Sequence, residues 1–358
     1  MTLRTLAAGG AATVTFEAIL ARLRAESNEH FGVADARLVP VRYEERPFSH
    51  LLRVGVCRHD SATPDAHVFV KIFKPKPADG GVEKMRRRVA HDFEVTRRIY
   101  EAMAQWDDLG AVRPVACYVD HLAVVTEQAD GETLLARLEA HATWFPPAET
   151  REALCEVLAR VGRWLRAFQS IDGAAGRISL GDLRGYVDLR LKRLVEHGVM
   201  TEVDRLRVLQ HLETLGAAMR PMDFTDAIVH ADLAPANILV SERRVVVLDF
   251  AMTNRGSYLH DISRLFLQLE LLRAKPKFRG SLIRSLELAL LRGFDPSLTP
   301  EHPLFRALLM LHRVNHLGTL SLRREPFPSN AFSTHIRRLH RRWIERELQA
   351  GAAVAVTP

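Results

Sequence analysis

The sequence predicts an α+β fold of two lobes, a small β-rich N-terminal lobe followed by a larger, mainly α-helical C-terminal lobe. Residues 36–128 contain short apolar or alternating runs between turn residues, with one long amphipathic stretch among them. After residue 144 the apolar residues follow a helical period, interrupted once, at 228–250, by two short apolar runs joined by a charged turn. Strands followed by helices indicate an α+β chain, and we expect a cleft at the boundary near residue 129.

The elements of the first lobe follow from these patterns in chain order. We predict a helical N-terminal extension over 1–35, and then strands in ARLVPVRYEE, HLLRVGVCRH and AHVFVKIFK. A helix is predicted from Val82 to Met103, because Met85, Val89 and Phe93 recur every four residues. Two more strands are predicted in VRPVACYVD and HLAVVTEQ, and the lobe ends at QADGE.

The second lobe, residues 129–358, is predicted to contain amphipathic helices on both sides of a β-hairpin. Before the hairpin they lie in REALCEVLARVGRWLRAFQSI, GYVDLRLKRLVEHG and TEVDRLRVLQHLETLGAAM. After the hairpin they lie in HDISRLFLQLELLRA, SLIRSLELALLRGF and LFRALLMLHRVNHLGTLSLRR. The C-terminal HIRRLHRRWIERELQ has an apolar face and an arginine face. We expect it to pack on its own domain, with peripheral membrane contact as the less favoured alternative.

Composition narrows the class of protein. The 358 residues are 47% hydrophobic, which is enough for a sizeable core. The three cysteines, Cys57, Cys117 and Cys155, are widely spaced, as expected of reduced thiols. No apolar run is long enough to span a membrane, and no signal peptide is recognised, so we expect a cytoplasmic protein. A net charge of +7 is too modest to predict specific nucleic-acid binding.

The segment HADLAPANILVSERRVVVLDFA carries the most chemical information. Pro235 prevents a regular helix, so an irregular loop can turn Asp232 and Asn237 to the same side. The two apolar runs that follow should fold back as a hairpin and bring Asp249 beside Asn237. A carboxylate and an amide oxygen together form an oxygen-only site suited to Mg²⁺. Asp232 is then left as a base for a hydroxyl group.

Asp and Asn are common in turns, so an ordinary loop is the alternative. However, H-x-D-L-x-x-x-N-I-L followed by V-x-L-D-F is a compound pattern, and it resembles the catalytic core of protein-kinase-like enzymes. HADLAPANIL and DFA, followed by YLHDISRLF, resemble the aminoglycoside and choline phosphotransferase branch more closely than protein kinases. The A-P-E motif of protein kinases is missing between Phe250 and Asp261. The resemblance implies a two-lobed protein-kinase-like fold, with residues 36–128 binding nucleotide and the C-terminal lobe binding the acceptor.

The resemblance also implies a role for each polar residue of the segment. Asp232 would be the catalytic base, and Asn237 and Asp249 would bind Mg²⁺. His230 would be structural, with its imidazole hydrogen-bonded to the region of Asp249. Asp261 would brace the catalytic loop by accepting backbone hydrogen bonds, and a simple N-cap is the alternative that the sequence leaves open.

A kinase-like enzyme also needs a lysine on a strand and an acidic residue on a helix that holds it. Lys71 lies inside the apolar strand HVFVKIFK, where an unpaired charge would be costly, and Lys74 is the alternative at the strand's end. The helix partner is predicted to be Glu94, with Glu83 as the alternative.

Two further nucleotide contacts are predicted from the resemblance. Residues from Glu127 to Ala129 would present backbone groups to the adenine base. Ser49 would meet a phosphate oxygen, although the segment departs from the glycine-rich loop of protein kinases and has no glycine until Gly55.

These observations predict a Mg²⁺-dependent O-phosphotransferase that uses ATP, or GTP in its place. The acceptor is expected to be a small molecule or a glycan, and the arginines of the acceptor-side helices (Arg190, Arg193, Arg205, Arg207, Arg284 and Arg292) favour a neutral or anionic one. Two alternatives remain: a protein serine/threonine kinase, and a pseudokinase that serves as an interaction module.

Overall fold

The computed structural model describes residues 11–58, 61, 63–75, 81–173, 176–322 and 329–355. It confirms the α+β class, with a small antiparallel sheet in the N-terminal part and a larger helical C-terminal part. The chain divides into two compact units. The first comprises Met1–Glu132 and Leu239–Thr253, and the second comprises Thr133–Ile238 and Asn254–Pro358.

The first unit is built on a five-stranded antiparallel sheet with the order β1-β2-β3-β6-β5. Its strands are β1 (Arg37–Glu45), β2 (Ser49–Cys57), β3 (Ala66–Phe73), β5 (Pro114–Tyr118) and β6 (Ala123–Glu127), with the short strand β4 (Leu109–Ala111) before β5. Its helices are α1 (Ala11–Ala25), α2 (Ser27–Phe31) and α3 (Val82–Met103). In the described part of residues 1–35 the structure therefore has two helices.

Alternation along β3 decides which side chains reach each face of the sheet. Val68, Val70 and Ile72 lie in the apolar core that also contains the buried face of α1. Phe73 belongs to a second cluster with residues of α3, including Met85. Because neighbouring side chains of a strand point to opposite faces, Lys71 lies on the same face of the sheet as Phe73.

The predicted β-hairpin is present, and its position corrects the predicted domain division. The hairpin strands β9 (Ile238–Val240) and β10 (Val245–Val247) belong to a sheet with the order β4-β10-β9-β7, where β7 is Glu132–Thr133. Val245 pairs in parallel with Leu109 of β4. This long-range pairing places Leu239–Thr253 in the first unit, whereas the sequence suggested the C-terminal lobe.

The second unit is mainly helical, as predicted. Its helices are α4 (Leu134–His141), α5 (Ala148–Ser170), α6 (Leu180–Glu196), α7 (Glu202–Ala217), α8 (His260–Leu272), α9 (Gly280–Phe294), α10 (Pro303–Leu322) and α11 (Ser329–Ala355). A two-stranded antiparallel sheet joins β8 (Asp226–Val229) to β11 (Asn254–Ser257). Helix α11 buries Ile336, Ile344 and Leu348, which confirms that its apolar face packs within the protein. Within the described residues, no helix has both the length and the apolarity needed to cross a bilayer.

Helices α5 and α9 cross at a point where each contributes a glycine. A Cβ atom on Gly293 would overlap the carbonyl oxygen of Ala159, and one on Gly162 would lie 2.6 Å from the backbone nitrogen of Phe294. Backbone atoms cannot move aside as a flexible side chain can. The close approach of the two helices therefore depends on both glycines.

Gly293→Ala is accordingly expected to destabilise the protein by about 1–3 kcal/mol, because the helices must separate to accommodate the methyl group. Gly185→Ala on α6 is the matched control: nothing lies within 4 Å of its Cβ position, so it should stabilise by roughly 0.5–1 kcal/mol. Thermal unfolding of both variants measures the difference. Equal melting temperatures would rule out the close crossing.

Candidate active site

Lys71 of β3 forms an ion pair with Asp249, which follows β10. The Lys71 Nζ lies 2.9 Å from Asp249 Oδ1 and 4.7 Å from the centre of the Phe73 ring. Asp249 adopts a left-handed backbone conformation with φ +66°, which is unusual outside glycine and asparagine. The competing Lys74 instead pairs with Glu45, at 2.6 Å. The structure therefore places Lys71, and not Lys74, beside one of the predicted metal ligands.

Helix α3 presents a different acid from the one predicted. Glu94 is exposed and pairs with Arg97 at 2.7 Å. The buried acid is Asp92, which is 5% exposed. Burial raises the pKa of Asp92 to about 6. The positive charge of Lys71 acts in the opposite direction, and the negative charge of Asp249 adds to the rise. The expectation for Glu94 is thus corrected: among the acids of α3, Asp92 is the one that interacts with Lys71.

Asp92→Asn is expected to weaken nucleotide binding several-fold, by about 1 kcal/mol, because Lys71 loses a nearby acid that helps to hold its ammonium in place. Glu94→Gln is the matched control and should leave nucleotide affinity unchanged.

Since the folded-state pKa of Asp92 lies above its usual 3.8, wild-type stability should fall as pH rises from about 4 to about 6. Asp92→Asn should remove that fall. Melting curves with and without nucleotide across this pH range measure both effects, and equal behaviour of the two variants would contradict the correction.

The structure shows the backbone hydrogen bonds at the predicted nucleotide contacts of the first unit, and the contacts themselves stay predictions. The Glu127 N–H donates to the Arg113 carbonyl at 2.9 Å, so an adenine contact at this residue would use its carbonyl oxygen, together with the N–H of Ala129. Ser49 is buried at the beginning of β2, and its carbonyl accepts a hydrogen bond from the Arg46 N–H. Little of its hydroxyl is accessible, so the phosphate contact of Ser49 stays a prediction.

In the second unit, Asp261 holds the loop that carries Asp232. Asp261 is fully buried, and its carboxylate accepts hydrogen bonds from the backbone N–H groups of His230 (2.6 Å) and Ala231 (3.0 Å). Burial alone would raise the pKa of Asp261, but the hydrogen bond and charge of His260 and the backbone bond outweigh it, and the pKa is lowered. Helix α8 begins at His260, one residue before Asp261, so Asp261 is not its N-cap. The hydrogen bonds of Asp261 instead brace the loop.

Ala231 stands where the phosphotransferase branch usually has glycine, and it has φ +61°. The branch's glycine suits this left-handed conformation because it has no Cβ atom. Here an alanine is held in it, and the two hydrogen bonds to Asp261 supply the constraint. The loop before Asp232 is therefore fixed by its tertiary contacts.

The other loop residues are held by the loop's own backbone. His230 is fully buried, and its Nδ1 accepts a hydrogen bond from the Asp232 N–H at 3.3 Å. Its predicted bond to the region of Asp249 stays a prediction. Asn237 ends a 3-10 turn that begins at Pro235, and its Nδ2 donates to the Asp232 carbonyl at 3.1 Å. This bond orients the amide and leaves Asn237 Oδ1 as the atom that suits a metal.

The two predicted metal ligands each offer oxygen donors, the kind that Mg²⁺ prefers. Among the described residues, no group of three or more His, Cys, Asp or Glu side chains could hold a metal ion. Asn237 and Asp249 offer only oxygen, and Mg²⁺ commonly takes one or two protein carboxylates while water and phosphate complete its coordination.

Arg264 is the residue of this site that the sequence patterns did not indicate. It lies on α8, and its Nη2 is 2.7 Å from Asp232 Oδ1, with 35% of the arginine side chain and 49% of the aspartate side chain exposed. The available signal was its spacing of three residues from Asp261, which places both on one side of the helix.

Comparisons with known proteins show the family and the fold of this chain. Residues 63–296, more than half of the chain, match the model of the phosphotransferase enzyme family. Among solved structures, a thermostable mutant of the aminoglycoside phosphotransferase APH(4)-Ia, in ternary complex with ADP and hygromycin B, is similar at TM-score 0.55 and 15% identity, covering 92% of this chain and 99% of that one. Choline kinase from Cryptosporidium parvum is similar at TM-score 0.52 and 12% identity, covering 93% and 97%. No curated protein sequence matches the chain.

Proposed function

Because the chain belongs to the phosphotransferase enzyme family, we propose that it transfers the γ-phosphoryl group of ATP, with Mg²⁺, to a hydroxyl of a small-molecule or sugar-containing acceptor. The observation that carries the proposal is the loop at Asp232. A buried carboxylate and two backbone hydrogen bonds fix this loop, while Asp232 itself stays half exposed. These contacts hold one accessible carboxylate in place, as expected of a residue that must meet a reacting group in a defined geometry.

The proposed reaction uses few protein groups. Asp232 would orient the acceptor hydroxyl and take its proton as the hydroxyl oxygen bonds to the γ-phosphorus. The bond from that phosphorus to the bridging oxygen of ADP would break, and ADP would leave with the bonding electrons. Lys71 would hold the phosphates, a role supported by its position on β3 beside Asp249. Asn237 and Asp249 would bind Mg²⁺, which neutralises phosphate charge when bound.

The alternatives receive less support. A protein kinase would need a substrate-docking motif, and A-P-E is missing between Phe250 and Asp261. A pseudokinase would not need the whole set of Lys71, Asp232 and Asn237, nor the hydrogen bonds that hold the loop at Asp232. These residues therefore favour an active phosphotransferase over an interaction module.

A two-stage experiment tests the proposal. In the first stage, thermal unfolding is measured with Mg-ATP and with Mg-GTP for the wild type and for Lys71→Met. A rise in Tm for the wild type and a smaller rise for the variant are expected, because only the folded state binds nucleotide. In the second stage, ADP release is measured with sugars, amino alcohols, phosphorylated alcohols and aminoglycosides as acceptors. No stabilisation by either nucleotide would refute the proposal.

A further inference from the structure

The contact of Arg264 with the candidate base carries information about the acceptor. Building on the proposed function, we propose that the acceptor is an anionic alcohol. Its phosphate or carboxylate group would be bound by Arg264 and Arg190, while its hydroxyl meets Asp232.

Arg264 places a positive charge directly beside the candidate base. Its Nη2 is 2.7 Å from Asp232 Oδ1, and its Nε is buried and has no hydrogen-bond partner among the described residues. With 35% of its side chain exposed, the rest of this guanidinium can offer N–H donors to an oxygen ligand. An ammonium group at this point would face a like charge, whereas an anionic group would gain a planar, two-donor partner.

Helix α10 contacts α8, the helix that carries Arg264, through His312. The buried His312 of α10 lies with its Nε2 3.1 Å from the hydroxyl of Ser263 and 3.1 Å from the carbonyl oxygen of His260. Ser263 directly precedes Arg264 on α8. Burial lowers the pKa of His312 well below its usual value, so it contributes hydrogen bonds without charge. Arg264 is therefore the cationic group of this contact.

The same turn of α10 also contacts Tyr186 of α6, and Tyr186 in turn contacts Arg190. Asn315, three residues after His312, donates from Nδ2 to the Tyr186 hydroxyl at 3.4 Å. Arg190 donates to that hydroxyl at 3.1 Å and lies 4.9 Å from the centre of the Tyr186 ring. Its Nε is also buried without a partner in the described part of the chain. Arg264 and Arg190 are thus connected through the contacts of one turn of α10.

Two acids of these helices are paired with basic residues other than Arg190 and Arg264. The sequence of α10 contains no Asp or Glu. On α6, Asp188 pairs with Arg205 (2.6 Å) and Lys192 (3.1 Å). On α8, Glu270 pairs with Arg313 and with Arg273. A polycationic acceptor would require unpaired acids around Asp232, whereas Asp188 and Glu270 are already paired with basic residues.

Inorganic phosphate is the first probe, because it needs no turnover. Tm is measured with phosphate and with spermidine at constant ionic strength for the wild type, Arg264→Gln, Arg190→Gln and the matched control Arg163→Gln, an exposed arginine paired with Glu156. Phosphate should stabilise the wild type and the control, and the apparent Kd should weaken about tenfold in each of the two site variants. Lys71→Met identifies phosphate bound on the nucleotide side. Unchanged phosphate stabilisation in Arg264→Gln and Arg190→Gln would overturn the proposal.

Matched acceptors form the second test. ADP release is compared between glycerol and glycerol 3-phosphate, between glucose and glucose 6-phosphate, and with choline and an aminoglycoside. The phosphorylated member of each pair should be preferred, and Arg264→Gln should reduce that preference in kcat/KM about tenfold or more. Arg264→Lys should retain part of it, which guards against a folding defect. Turnover of cationic acceptors alone would leave the proposed function intact and refute the anionic acceptor, whereas absence of nucleotide binding would refute the proposed function itself.

Discussion

Asp232→Asn is expected to lower kcat about 10²–10⁴-fold, while nucleotide-dependent stabilisation remains within experimental error of the wild type. The amide has nearly the same shape as the carboxylate but cannot take a proton from the acceptor hydroxyl. It also loses the ion pair with Arg264, whose Nη2 lies 2.7 Å from Asp232 Oδ1. Because both side chains are substantially exposed, loss of this pair should change the free energy of unfolding by less than about 1 kcal/mol.

ADP release with a true acceptor measures the effect, and thermal unfolding with Mg-ATP confirms that the nucleotide side is intact. Asp107→Asn, an exposed aspartate in the first unit, is the matched control and should have wild-type kcat. An Asp232→Asn enzyme with undiminished turnover would show that another group takes the proton.

Asp261→Asn is expected to destabilise the second unit by about 2–4 kcal/mol and to reduce activity as well. The carboxylate accepts hydrogen bonds from two backbone N–H groups, of His230 and Ala231, and it is fully buried. An asparagine has only one acceptor oxygen, so one buried N–H would face an NH₂ group and lose its partner. Ala231 would then lack one of the contacts that hold its left-handed conformation.

The pH dependence provides a second signature of Asp261. Its folded-state pKa is lowered, so its ionised form contributes stability in full above the unfolded-state pKa of about 4. That contribution is lost as pH falls through the folded-state pKa. Chemical unfolding between pH 7 and the acid transition should therefore show a steeper loss of stability for the wild type than for Asp261→Asn. Parallel curves would mean that Asp261 does not brace the loop in its ionised form.

The two substitutions distinguish a catalytic role, at Asp232, from a structural role, at Asp261. Asp232→Asn should remove turnover at nearly constant stability, whereas Asp261→Asn should reduce both together. If Asp261→Asn reduced activity without any change in unfolding, its role would be chemical, and the assignment of Asp232 as the only base would need revision.

Local sequence determined much of the fold and of the candidate site. The alternation around HVFVKIFK distinguished Lys71, inside a strand, from Lys74 at its end, and the contacts of both lysines agree. The hairpin and the loop containing Asp232 and Asn237 were also predictable, because Pro235 and the two apolar runs act over a few residues. Helix periods and turn residues are short-range properties, so they can be read directly from the chain.

The acid of α3 shows where local reasoning failed. Residues buried along α3 include Met85, Val89, Asp92, Ile99 and Met103, at the spacing of one helix face. Asp92 interrupts this apolar stripe with a charge, whereas the predicted Glu94 lies two residues further on and far around the helix. Only packing against the sheet shows that the buried stripe runs through the acid.

The sequence by itself determined the order of strands and helices, the hairpin, and the identity of Lys71, Asp232, Asn237, Asp249 and Asp261 as candidate residues. The tertiary structure decided three things: that Leu239–Thr253 joins the first unit, that Asp92 replaces Glu94, and that Arg264 contacts Asp232. Each of these depends on residues distant in the chain that meet through strand pairing or helix packing. Such contacts leave no short-range period in a single sequence, and that is the physical reason why only the folded structure reveals them.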